Sequence, residues 1–122
     1  MNTIEEFNLE GKNFLYIEFD NYRKMEEIEN LIEKTDKILK SYPLKSLYAI
    51  TKVDKIKVNT EFHEIVTNFF KNNEPYVKYS VIIGSDGVKK LMIEKLIKAS
   101  GRKNMRFAFT KEQAINWLLK QS

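Results

Sequence analysis

Four short, mostly apolar runs punctuate this chain: Phe14–Phe19, Leu47–Ile50, Tyr79–Ile83 and Arg106–Phe109. Each is followed by a stretch in which apolar residues recur every three or four positions. Apolar runs of strand length without polar alternation suit strands covered on both faces. The intervening period is that of an amphipathic helix. Short strands alternating with helices demand parallel pairing through right-handed crossovers, which leaves few folds.

The first helix is the clearest, with Met25, Ile28, Leu31, Ile32, Thr35, Ile38, Leu39 and Tyr42 on one face before Pro43 stops it. Asn59 or Thr60 caps the second, whose face is Phe62, Ile65, Val66, Phe69 and Phe70. Ser85 or Asp86 caps the third, about Asp86 to Ser100, and Gly101 is its expected left-handed terminus. Its expected core stripe is Val88, Leu91, Met92, Leu96 and Ala99. Thr110 caps a last helix carrying Ala114, Ile115, Trp117, Leu118 and Leu119. Ahead of all this, Ile4, Phe7 and Leu9 precede the turn cluster Glu10–Asn13, which predicts a hairpin with an antiparallel first strand at or near an edge. The expectation is one α/β domain over residues 1–122, with a mixed, mostly parallel sheet of about five strands and four helices.

Composition narrows the function. Hydrophobic residues make up 43% and charged residues 31%, the balance of a globular chain and not of a disordered one. Without cysteine there is no disulfide, thiol nucleophile or thiolate metal site, and a reducing, cytoplasmic setting is expected. The N-terminus lacks a basic start and apolar run, so no signal peptide is expected, and no stretch is long enough to span a bilayer. The net charge of +4 is unevenly spread: residues 1–61 sum to −2 and residues 62–122 to +6. A basic C-terminal half can attract an acidic partner, or can be simply a solvated lysine face.

No catalytic, cofactor or metal motif stands out. Ligands of parallel sheets gather at the strands' carboxyl ends, which places four loops in view: Asp20–Tyr22, Thr51–Thr60, Gly84–Gly87 and Thr110–Lys111. Gly84–Gly87 opens a helix but has neither a Walker lysine nor GxGxxG, and Asp86 would repel an anion, so a capped turn is expected. Asp20, Asp54 and Lys111 only faintly resemble a phosphoacceptor receiver, which needs clustered carboxylates to hold Mg²⁺. His63 has no partner set for zinc or a catalytic triad. Tyr16, Phe19, Phe62, Phe69, Phe70, Phe107 and Phe109 fall at core positions, so no base-stacking platform and no nucleic-acid partner are expected. Ile93 and Ile97 form a candidate interface strip rimmed by Lys89, Lys90 and Lys98, the alternative being burial against the last helix around Trp117.

The segments Gly11–Ile17, Tyr42–Lys45, Asn72–Gly84 and Phe109–Leu118, the last with its alanine and Trp–Leu pair, resemble the STAS superfamily in its SpoIIAA-like branch. That branch in turn resembles the CRAL-TRIO lipid-carrier fold. The resemblance covers nearly the whole chain. It implies a superhelix of strand–helix units that acts by protein–protein contact, as anti-sigma factor antagonists do, without catalysis or cofactor. Regulatory members are switched at a serine in an Asp-Ser-Ser-Gly motif. The corresponding place here reads Val58–Asn59–Thr60–Glu61–Phe62, so Asn59, Thr60 and Glu61 are the candidate partner-binding or phosphoacceptor loop, without the usual serine and glycine. A protein partner, a homodimer, or a lipid or other apolar ligand between helices and sheet are the partners this implies.

Overall fold

The computed structural model describes residues 3–19, 25–53 and 60–121. Strands β1 (Thr3–Leu9) and β2 (Lys12–Phe19) form the antiparallel hairpin. Glu10 and Gly11 both have positive φ, 51° and 80°, the two-residue turn whose twist matches a hairpin. There follow α1 (Met25–Leu39), β3 (Leu47–Val53), α2 (Thr60–Asn73), a 3₁₀ turn (Glu74–Tyr76), β4 (Val77–Ile83), α3 (Gly87–Ser100), β5 (Met105–Ala108) and α4 (Lys111–Leu119). The sheet order is β1-β2-β3-β4-β5, with β2 to β5 mutually parallel. The expected α/β class and edge position of the first strand are both found. No helix among the described residues is long and apolar enough to cross a membrane.

Because the sheet is built by stepping always in one direction, crossovers of one hand place their helices on one face. Leu15, Ile17 and Phe19 of β2 and Leu47 and Val53 of β3 accordingly meet Ile28 and Leu31 of α1, Phe62 and Phe69 of α2, and Ile93 and Leu96 of α3. Each such fully buried side chain contributes about 1.5–3 kcal/mol relative to exposure. Among the described residues the opposite face, through Phe14, Tyr48, Ile50 and Val81, is covered by α4, with Ala114 and Leu118 packed on it.

Two lysines fasten that single helix. Lys12 Nζ donates to the carbonyls of Leu118 (3.4 Å), Leu119 (2.7 Å) and Gln121, complementing the negative end of α4. At the other end Lys111 Nζ lies 4.0 Å above the Tyr16 ring and 3.5 Å from a Glu5 carboxylate oxygen. Between them a row of rings crosses the sheet, Phe7 on Phe14 (5.1 Å), Phe14 on Tyr48 (5.8 Å), Tyr48 on Tyr79 (6.2 Å) and Tyr79 edge-on to Trp117 (5.9 Å).

The expectations for three elements, α1, β4 and α3, need correction. Helix α1 ends at Leu39, and Ser41 and Tyr42 continue as turns bonded to Ile38 and Leu39, so it stops before Pro43 constrains it. Strand β4 begins at Val77 and carries an extra residue: Leu47 pairs with Val77 but Tyr48 pairs with Tyr79. That bulge at Lys78 shifts the phase, so Val77 joins the three-helix face while Tyr79 joins the α4 face. The core stripe of α3 is also rotated. Val88 and Leu91 are 77% and 65% exposed and Ala99 is exposed, whereas Ile93, Leu96 and Ser100 are buried.

Candidate functional site

Of the residues at the carboxyl ends of the strands, Asp20, Asn21, Tyr22, Asp54 and Asn59 lie outside the described residues. Thr60 and Glu61 are exposed in the first turn of α2, where a carboxylate complements the positive helix end, and Phe62 beside them is wholly buried. Lys111 is occupied with Glu5 and Tyr16, as described above. His63 is half-buried on α2.

The Gly84–Gly87 turn has a structural explanation. The Asp86 carboxylate accepts from Lys89 N–H at 2.8 Å as the N-cap of α3, and Gly101 closes the helix at φ 72°. Gly84 permits close approach: a Cβ there would lie 2.7 Å from Ile93 Cδ1 and 2.8 Å from Lys89 Cβ. This contact sets the rotation of α3 and corrects the Ile93/Ile97 strip. Ile93 is completely buried, in the three-helix core and not against Trp117, which belongs to the other face. Ile97 is half-buried.

What the rotation leaves at the surface is a groove running beside β5. On one side it has a volume of about 440 Å³ and takes in Lys90 and Glu94 of α3, Arg106, Phe107 and Phe109, and Gln113 and Trp117 of α4. A contiguous part of about 300 Å³ shares Glu94, Arg106 and Phe107 and adds Ile97, Lys98 and Met105. The cations sit on aromatic faces: Arg106 Cζ is 5.3 Å from the Trp117 ring and Lys90 Nζ 6.0 Å from the Phe107 ring. Phe109, expected in the core, is 43% exposed and packs edge-on against Phe107 at 4.8 Å.

Strand β5 is the last in the sheet, so among the described residues no strand lies beside its outer edge. The carbonyls of Asn104 and Ala108 accept from Ser80 N–H (2.9 Å) and Gly84 N–H (3.2 Å) on the inner side. Main-chain groups of a parallel strand alternate between its two edges, so Met105 and Phe107 turn theirs outward. Phe109 N–H donates to Gln113 Oε1 at 3.1 Å, which closes the upper end.

The lower end is built on Arg102, which is only 5% exposed. Its Nη1 donates to the Phe70 carbonyl (3.1 Å) and to Asn73 Oδ1, and its Nε to Asn104 Oδ1 (3.0 Å). The Asn104 amide in turn donates to the carbonyls of Val77 (3.3 Å) and Lys78 (2.9 Å) at the bulge. Burial lowers the Arg102 guanidinium to about 10, with Glu74 opposing the shift, and its Nη2 is buried with no partner among the described residues. The network ties the end of α2 and the bulged strand to the start of β5. It was not read from the sequence, where Arg102 and Asn104 look like ordinary loop residues.

A second groove lies between α1 and α2, with Ile32, Ile65 and Phe69 flanked by Glu29, Glu33 and Asp36. Burial raises the Asp36 carboxyl above its usual range, with Lys40 opposing. The two grooves thus differ in sign.

No family model matches the chain. The uncharacterized protein BU087 of Buchnera aphidicola subsp. Acyrthosiphon pisum is 29% identical over 98 residues, which is 74% of this chain and 10% of that protein. The chain therefore spans about a tenth of the length of the curated relative it matches.

Proposed function

We propose that this chain is a non-enzymatic, STAS-like interaction module, acting in the cytoplasm, whose protein partner docks at the β5 edge between α3 and α4. The observation that carries this reading is the combination of an outward-facing edge at Met105 and Phe107 with aromatic rings and cations on both sides of it. The resemblance to anti-sigma factor antagonists supports a partner-binding role. The alternative, an apolar ligand held between helices and sheet, would need space that Phe19, Phe62, Phe69 and Ile82, all fully or almost fully buried, already fill.

Affinity capture from native lysate tests the reading, with wild type, Arg106→Glu and Thr60→Glu run in parallel. A specific protein retained by wild type and Thr60→Glu, and lost with Arg106→Glu, is the expected result. Loss with Thr60→Glu alone would move the interface to the start of α2. Co-purification of apolar molecules with no protein partner would refute the interaction module.

A further inference from the structure

The groove at β5 offers more than a sticky surface, because part of it is main chain. Outward N–H and C=O groups at Met105 and Phe107 form a short alternation of donors and acceptors. A lipid chain or a nucleotide base does not complement that alternation, whereas an extended polypeptide does. We infer that the occupant is an extended acidic segment of a partner protein, added alongside β5 as a sixth strand. This rests on the reading that the β5 edge is the interaction surface.

Charge and register give the segment its pattern. Lys90, Lys98 and Arg106 border the groove, opposed among the described lining residues by Glu94. Side chains alternate between the faces of a sheet. A residue seated beside Arg106 points to the α4 face, where the guanidinium lies on Trp117. An acidic residue there meets a cation whose apolar side is already covered. Its two neighbours point to the other face, beside Met105, Phe107 and Ile97, all three half-buried and packed on the three-helix core. The segment is therefore apolar–acidic–apolar. It is also short, since Gln113 closes the edge above and the Asn104 side chain covers the β4 carbonyls below.

A second copy of this chain is the weaker occupant. Its own acidic edge strand, β1, already engages its carboxylates: Glu5 pairs with Lys111 at 3.5 Å and Glu6 accepts from Tyr42 Oη at 2.6 Å.

Selection from a displayed library of random short peptides on the immobilised full chain tests the inference. Enriched sequences are expected to carry Asp or Glu between two apolar residues. A fluorescent synthetic copy should shift the amide resonances of Met105 and Phe107. Its anisotropy-measured affinity should fall by about tenfold or more on Arg106→Glu, as for loss of an interfacial charge pair. Methylating alternate amides of the peptide should weaken it similarly, and that variant leaves the protein untouched. Arg106 is exposed, so its replacement should leave the fold intact, as circular dichroism would verify. Peptides that still shift β5 overturn the acidic segment if they show no acidic preference and the added strand if they are indifferent to N-methylation, and either result leaves the docking surface standing. Resonance shifts confined to other elements, or no enrichment, overturn both. Concentration-dependent self-association centred on β5 would assign the edge to a second copy and overturn the acidic partner.

Discussion

Replacing Gly84 by alanine tests the contact that positions the wall of the groove. The added Cβ would sit 2.7 Å from Ile93 Cδ1 and 2.8 Å from Lys89 Cβ. Unstrained carbon contacts lie near about 3.5–4.0 Å, so either contact is short by close to an ångström. Ile93 is fully buried and has little room to change rotamer, and Lys89 Cβ is fixed to the helix backbone. The first turns of α3 must therefore move outward. Overpacking of this kind costs about 1–3 kcal/mol. The reduced freedom of an unfolded alanine chain offsets about 0.4–1 kcal/mol of that. A net loss of about 1–2 kcal/mol follows, and with a urea m-value of about 2 kcal/mol/M the unfolding midpoint should fall by roughly 0.5–1 M. Ile93→Val removes Cδ1 and with it one of the two clashes. In that background the alanine should cost less by about 0.5–1 kcal/mol, a coupling expected of residues in contact. An alanine that is neutral or stabilising, or a double variant whose loss equals the sum of the singles, would refute the close-approach argument.

Two further changes probe the supports of the fold. Glu10→Asn places a residue tolerant of positive φ in the hairpin turn, where Glu10 sits at φ 51°. It should stabilise by about 0.5–1 kcal/mol, since left-handed backbone costs an ordinary residue about 1–2 kcal/mol; a thermal melt that fails to rise by a few degrees would count against a strained turn. Arg102→Ala strips donors from the Phe70 carbonyl and Asn73 Oδ1 and should cost about 2–4 kcal/mol in chemical denaturation. A loss below about 1 kcal/mol would mean that the desolvated guanidinium, with its unpartnered Nη2, nearly cancels the bonds it makes.

The strands and helices were legible because burial on two faces leaves a strong local signature. Phe14–Phe19 and Tyr79–Ile83 carry no polar alternation, and the caps at Asp86, Gly101 and Thr110 sit where residue chemistry puts them. The rotation of α3 was not legible. Val88, Leu91 and Ala99 share a helical spacing as apolar as that of Ile93, Leu96 and Ile97, so periodicity alone could not choose between the stripes. The choice is made by Gly84, whose missing side chain admits Ile93, and that is a contact between elements. The bulge at Lys78 is similarly silent in sequence, because it depends on pairing with β3 and on the Asn104 amide.

The open edge was hidden for a related reason. Arg106–Phe109 is nearly as apolar as the strand before it, and apolar content does not say whether a strand has one neighbour or two. Sheet order decides that, and here it is strictly sequential. The same order turns a one-dimensional feature into a three-dimensional one. When each strand is laid beside its predecessor, position along the chain becomes position across the sheet. The acidic first half, with β1 and α1, then lies at one edge, and the basic second half, with α3 and β5, at the other. Helix α4 is the exception, crossing back over β3 and β4, and its fastening by Lys12 and Lys111 spans that separation. The uneven charge read from the sequence is therefore a polarity across the sheet, negative at the β1 edge and positive at the β5 edge. The acidic strand proposed above would be drawn to the β5 edge, where main-chain groups at Met105 and Phe107 face outward between cations.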